Sequence, residues 1–204
     1  LARWLQRRNA IALVLAAVVL VGWTARMSAW QQVWIAGPEA LWSAAIDTEP
    51  RSVHARVNRA ALRVQRGDAV GDDLQIALAL APRDATAWKV QAEVLRRAGR
   101  PADALGALRR AARAAPGDTE IQCNLGALMG SAGDRSAAER TFDAAIGAGG
   151  GPDCYLNRAV LRVQLGRRSD AASDVRAALR ALPAGHPPRA RALGMARALR
   201  GERR

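Results

Sequence analysis

The side chains that could carry chemistry are few and widely separated in this sequence of 204 residues. The two histidines, His54 and His186, have no cysteine or carboxylate cluster beside them that suggests a metal site. Asp72 and Asp73 are adjacent, so on a helix their carboxylates diverge and do not share a proton. Walker, GxSxG, HExxH and CxxC motifs are absent. The sequence therefore predicts a non-enzymatic protein with no catalytic residue, metal, cofactor or small-molecule substrate.

The two cysteines, Cys123 and Cys154, fall at nearly corresponding points of two predicted helices. As small apolar side chains they would fill tight helix contacts. In an oxidising compartment they would form a disulfide instead, if their Cα atoms come within about 7 Å. The sequence leaves both interpretations open.

The formal net charge of +13 comes from arginines spread along the chain among acidic residues. Arg109, Arg110 and Arg113, for example, are followed by Asp118 and Glu120. This interleaving favours solvated outer faces of helices, and a surface for anionic lipid or an acidic partner is the alternative. Zinc-finger, RNP and basic-region patterns are absent, so we expect no nucleic-acid partner.

An uncharged apolar run at residues 10–25 predicts a membrane anchor. Extended to residues 10–29, a helix reaches the hydrocarbon thickness of about 30 Å, provided that Arg26 snorkels to the headgroups. A cleaved signal peptide is the alternative, but Trp23 or Met27 would then occupy a position where cleavage needs a small residue. We therefore expect an uncleaved transmembrane helix over residues 10–29.

The arginines also predict the orientation of this span. Three precede it, whereas only Arg26 follows it before Arg51. Because positive charge is retained in the cytoplasm, residues 1–9 should be cytoplasmic and the rest periplasmic. The expected location is the inner membrane of a Gram-negative bacterium, as a single-pass protein.

A repeat is the most specific signal in the sequence. Residues 57–67, VNRAALRVQRG, and residues 156–166, LNRAVLRVQLG, are identical at eight of eleven positions. Turn glycines recur at Gly67, Gly99, Gly133 and Gly166, and proline follows at positions 82, 116 and 183, with Gly150 in the equivalent place. A period near 33 residues, with a glycine between two helices and a closing proline, indicates stacked helical hairpins.

The unit that begins at Ala85 resembles the tetratricopeptide repeat. The residues that carry the resemblance are Trp88, Ala92, Leu95, Gly99, Ala104, Leu108, Ala111 and Pro116. Further units begin at Thr119 and Pro152, and one near Val53 is two residues short, which leaves its second helix uncertain. The resemblance implies an all-α, right-handed solenoid of helical hairpins after one transmembrane helix, acting as a binding scaffold.

The same pattern predicts the domain boundaries. Residues 30–50 form a membrane-proximal partial repeat, in which Trp42 lies on a second helix and residues 23–35 form the first helix, continuous with the span. The array covers residues 51–185, and residues 186–204 form a C-terminal capping helix. Leu193, Met195 and Leu199 are expected on the apolar side of that capping helix.

The resemblance implies that the first helix of each repeat lines a concave groove that binds a partner. The side chains that it places in the groove are His54, Asn58, Gln65, Lys89, Glu93, Arg96, Arg97, Asn124, Asn157 and Gln164. Asn and Gln carry the donors and acceptors that an extended peptide needs, and the basic pair could bind a carboxylate. The alternative is a groove filled by the chain's own tail or by solvent.

Trp30, Trp34 and Trp42 follow the span at helical spacing. Interfacial anchoring and core packing would explain them, and a membrane-proximal docking surface is the sharper hypothesis. We expect protein partners, either integral membrane subunits or their periplasmic segments, and lipid contact through the one span. The predicted role is an accessory or assembly subunit of an inner-membrane complex. A periplasmic chaperone for exported clients, or a regulatory partner of an envelope polysaccharide synthase, are the alternatives.

Overall fold

The computed structural model describes residues 18–24, 26–28, 31–33 and 35–201, and no strand occurs among them. Ten helices follow one another from residue 38 onwards. Their bounds are α1 Pro38–Thr48, α2 Val53–Arg66, α3 Asp73–Leu80, α4 Ala85–Arg97, α5 Pro101–Ala114, α6 Thr119–Ser131, α7 Arg135–Gly147, α8 Pro152–Gln164, α9 Arg168–Ala181 and α10 Pro187–Arg200. The described residues between positions 18 and 36 are helical as well.

Local signals explain where these helices begin. Ser52, Asp84, Asp118 and Asp134 each precede a helix, and the side chain of each accepts a hydrogen bond from the backbone N–H three residues later. That bond satisfies one of the donors left free at a helix N-terminus. Proline starts α1, α5, α8 and α10, where its fixed φ suits the first helical position.

The turn glycines end the first helix of each hairpin. Gly67 has a φ of +83°, in the left-handed region, and its N–H bonds back to the carbonyl of Val64. The next N–H, of Asp68, reaches the carbonyl of Arg63 at 2.9 Å. These bonds satisfy carbonyl groups at the helix end that would otherwise have no hydrogen-bond partner. They require a left-handed residue, which glycine adopts without strain because it has no Cβ. The regularly spaced glycines in the sequence therefore mark the C-terminal ends of the first helices.

Small side chains allow the two helices of each hairpin to approach closely. Ala60, Ala104, Ala111, Ala159 and Ala171 are completely or almost completely buried. Larger side chains, such as Phe142 and Ile121, fill the space between hairpins. Since each hairpin buries only part of its apolar surface alone, stacking completes the core.

Four hairpins, α2–α3, α4–α5, α6–α7 and α8–α9, stack along the chain in sequence order. The first helices α2, α4, α6 and α8 form one row, called the first-helix row below, with direct α2–α4 and α6–α8 contacts. The second helices α1, α3, α5, α7 and α9 form the second-helix row. The all-α solenoid predicted from the sequence is confirmed, and α3 forms despite its two missing residues.

The C-terminal helix α10 packs on the last hairpin, as expected for a cap. Its buried and partly buried contacts come from Ala192, Met195 and Leu199. Leu193, which we expected on this apolar side, is 40% exposed instead. The difference follows from helix geometry, because residues three and four apart share a face and Leu193 lies on the neighbouring one.

Part of the predicted N-terminal region lies outside the described residues. This applies to residues 1–9 of the predicted cytoplasmic segment and, within the predicted span, to residues 10–17, 25 and 29. Among the residues that are described, no helix has both the length and the apolar character needed to cross a membrane. The helix that includes residues 35–36 ends at Gly37, whose φ of +94° separates it from α1.

Candidate partner-binding surface

The first-helix row is held together by side chains that pass from one first helix to the next. Arg97 on α4 donates to the Val64 carbonyl of α2. Lys89 on α4 donates to Glu120 on α6, with 2.9 Å between Nζ and Oε2. These links fix neighbouring first helices side by side, so the side chains between them form one continuous surface.

Three asparagines occupy the same repeat position on α2, α6 and α8. The Asn58 side chain donates to the backbone carbonyl of His54 at 2.8 Å. The side-chain oxygen Oδ1 of Asn157 accepts from Arg191 of α10 at 3.3 Å. Asn124 lies half-buried between them and makes no side-chain hydrogen bond with a described residue. An amide that carries both donor and acceptor atoms is thus available at the centre of the row.

The remaining predicted polar groups lie towards the ends of the row. His54 is exposed and packs edge-on against Trp42, with 5.5 Å between the ring centroids. Gln65 and Gln164 are exposed at the C-terminal ends of α2 and α8. The predicted groove therefore approaches the predicted membrane-proximal surface at the contact between His54 and Trp42.

The predicted charged stripe on α4 is engaged in internal ion pairs. Glu93 accepts from Arg96 and from Arg97, each at 2.7 Å. The hydrogen bond from Arg96, reinforced by Arg97, holds the pKa of the Glu93 carboxyl below its ordinary value. A partner carboxylate would have to compete with Glu93. The basic pair is therefore not the free anion site that the sequence suggested, and Arg97 also holds α4 against α2.

The two cysteines meet between α6 and α8. The structure joins Cys123 and Cys154 in a disulfide, with 5.2 Å between their Cα atoms. Both residues are buried. Of the two interpretations left open by the sequence, this geometry corresponds to the disulfide, which adds a covalent link to the first-helix row.

The predicted tryptophan surface is described only in part. Trp30 and Trp34 lie outside the described residues. Trp42 is half-buried on α1, beside His54. Within the described part of the chain, no group of His, Cys, Asp and Glu could hold a metal ion.

Comparisons with known proteins agree with this architecture. Residues 85–128 match the model of a family described as tetratricopeptide repeat. A solved structure from Thermus thermophilus, a thermophilic TPR protein, is 21% identical and covers 84% of this chain and 94% of its own, with a TM-score of 0.69. The chain folds as a tetratricopeptide repeat array. Proteins with this fold generally act as non-enzymatic scaffolds for protein interactions.

Two other solved tetratricopeptide structures are similar at the level of the fold. YrrB, described as a TPR protein with an unusual peptide-binding site, is 20% identical over 82% of this chain and 85% of its own, with a TM-score of 0.57. PilW, a widely conserved type IV pilus biogenesis factor, is 20% identical over 79% of each chain, with a TM-score of 0.62. The sequence has no significant match among curated proteins.

An ionic cluster that the sequence analysis missed joins the first and second helices of the first tetratricopeptide hairpin. Asp73 of α3 is 3% exposed and accepts two hydrogen bonds from Arg59 of α2, at 2.7 and 2.8 Å. Arg63 of α2 binds Glu39 of the preceding helix α1 at 2.8 Å. That bond lowers the pKa of the Glu39 carboxyl. One buried cluster therefore connects three helices.

The last tetratricopeptide hairpin contains the same cluster. Asp174 of α9 is 3% exposed and accepts from Arg158 at 2.6 Å and from Arg162 at 2.9 Å. Arg162 also binds Glu139 of the preceding helix α7 at 3.1 Å. Arg59 and Arg63 of the first cluster, and Arg158 and Arg162 of the last, are among the positions at which residues 57–67 and 156–166 are identical. That identity, with an aspartate in each following helix, was the sequence signal for the clusters.

Proposed function

We propose that this protein is a non-enzymatic, membrane-anchored tetratricopeptide scaffold that binds protein partners on the periplasmic side of a bacterial inner membrane. In this proposal it is an accessory or assembly subunit of a membrane complex. The observation that carries the proposal is the repeated asparagine of the first-helix row, at Asn58, Asn124 and Asn157. Equivalent amides one or two repeats apart can bond peptide groups several residues apart in an extended segment.

The anchor rests on the apolar N-terminal run and on its charge distribution. Its described residues Val18, Val19, Leu20 and Val21 are helical, and each exposes more than half of its side chain. Exposed apolar helix surface of this kind indicates contact with lipid or protein. The arginine excess before the run supports a cytoplasmic N-terminus. PilW has the same fold, and its role in pilus biogenesis is compatible with an assembly function here.

Affinity purification in mild detergent tests the proposal. We expect the wild-type chain to retain a stoichiometric membrane complex, and Asn124→Ala to weaken that complex. Loss of hydrogen bonds worth about 1 kcal/mol each weakens binding by roughly fivefold for one bond and roughly thirtyfold for two. Ser173→Ala, at an exposed position of α9, is the control and should bind as wild type.

Other outcomes would point to other roles. A heterogeneous set of exported proteins would favour a chaperone, and a polysaccharide synthase as the single partner would favour a regulator. If Asn124→Ala retains the complex but Trp30→Ala with Trp34→Ala loses it, the membrane-proximal surface is the interface. In that case the role of the asparagine row would be wrong.

A further inference from the structure

The second-helix row contains four equivalent junctions, each formed where a first helix lies between two consecutive second helices. Two of them hold the ionic clusters described above. At these junctions the preceding second helix supplies a carboxylate, Glu39 or Glu139, which reaches the arginines of the first helix. The junction is therefore filled by polar side chains from three helices.

The junction between the second and third hairpins is filled by apolar side chains instead. Leu105 of α5 occupies the repeat position equivalent to the glutamate. Leu125 and Met129 of α6 occupy the positions equivalent to the two arginines. All three pack in one core cluster. Thr141 of α7 stands at the place of the aspartate, and its hydroxyl lies 3.8 Å from the Met129 sulfur. This junction is complete without any charge.

The junction between the first and second hairpins is left open. Gly71 occupies the repeat position equivalent to the glutamate. Gln91 and Leu95 occupy the positions equivalent to the two arginines, and Ala107 the position equivalent to the aspartate. Its preceding second helix, α3, begins at Asp73 and has 8 residues, whereas α5 has 14. The missing helical turns leave an open groove of about 710 Å³, which we call the α3–α5 groove.

Apolar side chains form the walls of the α3–α5 groove, and its lining also includes the polar residues Gln75, Gln91, Arg100 and Asp103. Leu74 and Leu78 of α3 form one wall, and Leu95 and Ala107 of the second hairpin form the opposite one. Trp88 completes the lining, with its ring below the guanidinium of Arg110 at 4.6 Å. An exposed concave surface of this composition favours the burial of apolar side chains from another molecule.

A cationic cavity of about 680 Å³ adjoins the α3–α5 groove and shares Trp88 and Arg110 with it. Its other charged side chains are Arg83 and Arg113, and no carboxylate lines it. None of these three arginines forms an ion pair with a described residue, although sixteen such pairs occur elsewhere in the described chain. The surface thus changes from apolar to strongly basic over the width of one hairpin.

We propose that the α3–α5 groove binds a short amphipathic helix of a protein partner. The apolar side chains of the partner helix take the place of the missing turns of α3, against the half-buried Leu78 and Leu95, and its carboxylates bind the arginines around Trp88. The shape argument comes from the other three junctions, where a second helix or its side chains fill this space. The charge argument comes from the three arginines. This site lies on the second-helix row and is independent of Asn124 and of the function proposed for it.

Fluorescence anisotropy with a defined probe tests the proposal. The probe is a fluorescein-labelled helical peptide of about four turns, with leucines spaced i, i+3, i+4 and i+7 on one face and glutamates elsewhere. A matched peptide with alanine in place of each leucine is the control. We expect the full chain to bind the leucine probe and to bind the alanine peptide at least tenfold more weakly. Failure of the wild-type chain to bind the leucine probe overturns the proposal.

A blocking variant assigns the binding to the groove. Gly106 lines the groove on α5, and a Cβ built there meets nothing within 4 Å. Gly106→Trp should therefore fill the groove without disturbing α5, and should weaken probe binding at least tenfold. Gly194→Trp on α10 is the control, because it is also an exposed helical glycine with open space around it. Equal probe binding by the two variants contradicts the proposed site.

A charge reversal tests the basic cavity in the same assay. Arg110→Glu with Arg113→Glu should weaken probe binding at least tenfold. Arg176→Glu with Arg180→Glu on α9 changes the net charge equally at exposed positions and should have less than a threefold effect. Equal losses of probe binding in the two double variants would mean that long-range attraction to a basic protein, and not this cavity, accounts for binding.

Two other occupants are distinguished by further measurements. Vesicles of phosphatidylcholine and phosphatidylglycerol report lipid binding, and sedimentation velocity reports self-association. Displacement of the probe by these vesicles, with loss of vesicle binding in Gly106→Trp, would assign the groove to lipid. A dimer that Gly106→Trp dissociates would assign it to a second copy. Either result overturns a partner helix as the occupant.

Discussion

Asp174 carries a negative charge that is almost fully withdrawn from water, and two guanidinium groups balance it. Its side chain is 4% exposed, and those of Arg158 and Arg162 are 13% and 14% exposed. Without Asp174, both arginines would keep only the more exposed carboxylates of Asp143 and Glu139 as partners. The stability of the last hairpin should therefore depend on this one carboxylate more than on any exposed ion pair.

Asp174→Ala should lower the free energy of unfolding by about 3 kcal/mol, because it removes the most buried carboxylate that Arg158 and Arg162 share. Chemical denaturation followed by circular dichroism measures this change. The exposed pair between Arg100 and Asp103 supplies the control, since Asp103→Ala should cost less than about 1 kcal/mol. Similar costs for the two substitutions would show that the buried cluster has no special role.

The chain itself suggests a rescue of that variant. Arg158→Leu with Arg162→Met and Asp174→Thr introduces the residue types of Leu125, Met129 and Thr141 from the uncharged junction, and leaves Glu139 paired with Arg167. Replacing a buried ionic cluster by packed apolar groups is often neutral or stabilising. We expect the triple variant to unfold within about 1 kcal/mol of wild type. A triple variant as unstable as Asp174→Ala would contradict the equivalence of the junctions.

Gly150 is required by its surroundings. A Cβ at this position would lie 2.7 Å from the Ala145 carbonyl oxygen and 2.8 Å from the Cys154 sulfur. Gly150→Ala should therefore destabilise the protein by about 1–3 kcal/mol, the usual cost of overpacking. The neighbouring Gly151 has open space around it, so Gly151→Ala should change thermal stability much less. Equal melting temperatures for the two variants would be evidence against this contact.

At the scale of helices, each pair of neighbouring helices in the first-helix row is joined by a different type of interaction. Arg97 joins α4 to α2, an ion pair between Lys89 and Glu120 joins α4 to α6, and a disulfide joins α6 to α8. Beyond α8, Arg191 of α10 reaches Asn157. These links keep the asparagine amides of the proposed peptide-binding surface in register along the row. The disulfide is the strongest of them because it is covalent.

Mass spectrometry of unreduced protein should therefore show the peptides of Cys123 and Cys154 linked. The bridge closes a loop across a sequence separation of 31. Reduction should lower stability by about 3–4 kcal/mol through the entropy of the unfolded chain. Melting with and without reductant measures this effect, and Cys123→Ser with Cys154→Ser should be insensitive to reductant. Two freely alkylated thiols in native extracts would support the packing interpretation instead.

The helices and turns could be predicted from the sequence because their signals are local. Gly67 and Gly166 end first helices, and Asp84 and Asp118 start the next ones, each through a bond to a residue a few positions away. The clusters of Asp73 and Asp174 could not be predicted in this way. The arginines that bond to them lie 12 to 17 residues distant on another helix, so the pairing depends on how the helices pack.

The availability of the predicted groove side chains could not be predicted for the same reason. Asn124 lies on the first-helix row, as its repeat position implied, and its amide makes no side-chain hydrogen bond with a described residue. Arg96 and Arg97 share the correct face, but Glu93 on the same helix binds both of them. Sequence spacing gives the face of a side chain, whereas its availability depends on every charge that the fold brings near it.

At the scale of the whole molecule, the two proposed surfaces lie on different rows of one solenoid. The first-helix row offers amides to an extended segment, and the second-helix row offers a groove to a helix. An array with two such surfaces could bind two parts of one complex together. The second binding event would then be intramolecular, with a high effective concentration. This arrangement fits an assembly subunit that is held at the membrane beside its partners.

A reporter fused after Arg204 tests the placement of this array. An enzyme that is active only outside the cytoplasm should be active in this fusion, because the arginines before the apolar run favour a cytoplasmic N-terminus. If the proposed apolar span of about 20 residues anchors the protein, it should also remain in the membrane fraction after a carbonate wash. The same enzyme fused after Arg8, before the run, is the control and should be inactive. Activity of a cytoplasm-only reporter after Arg204 would overturn both the orientation and the periplasmic location of the binding surfaces.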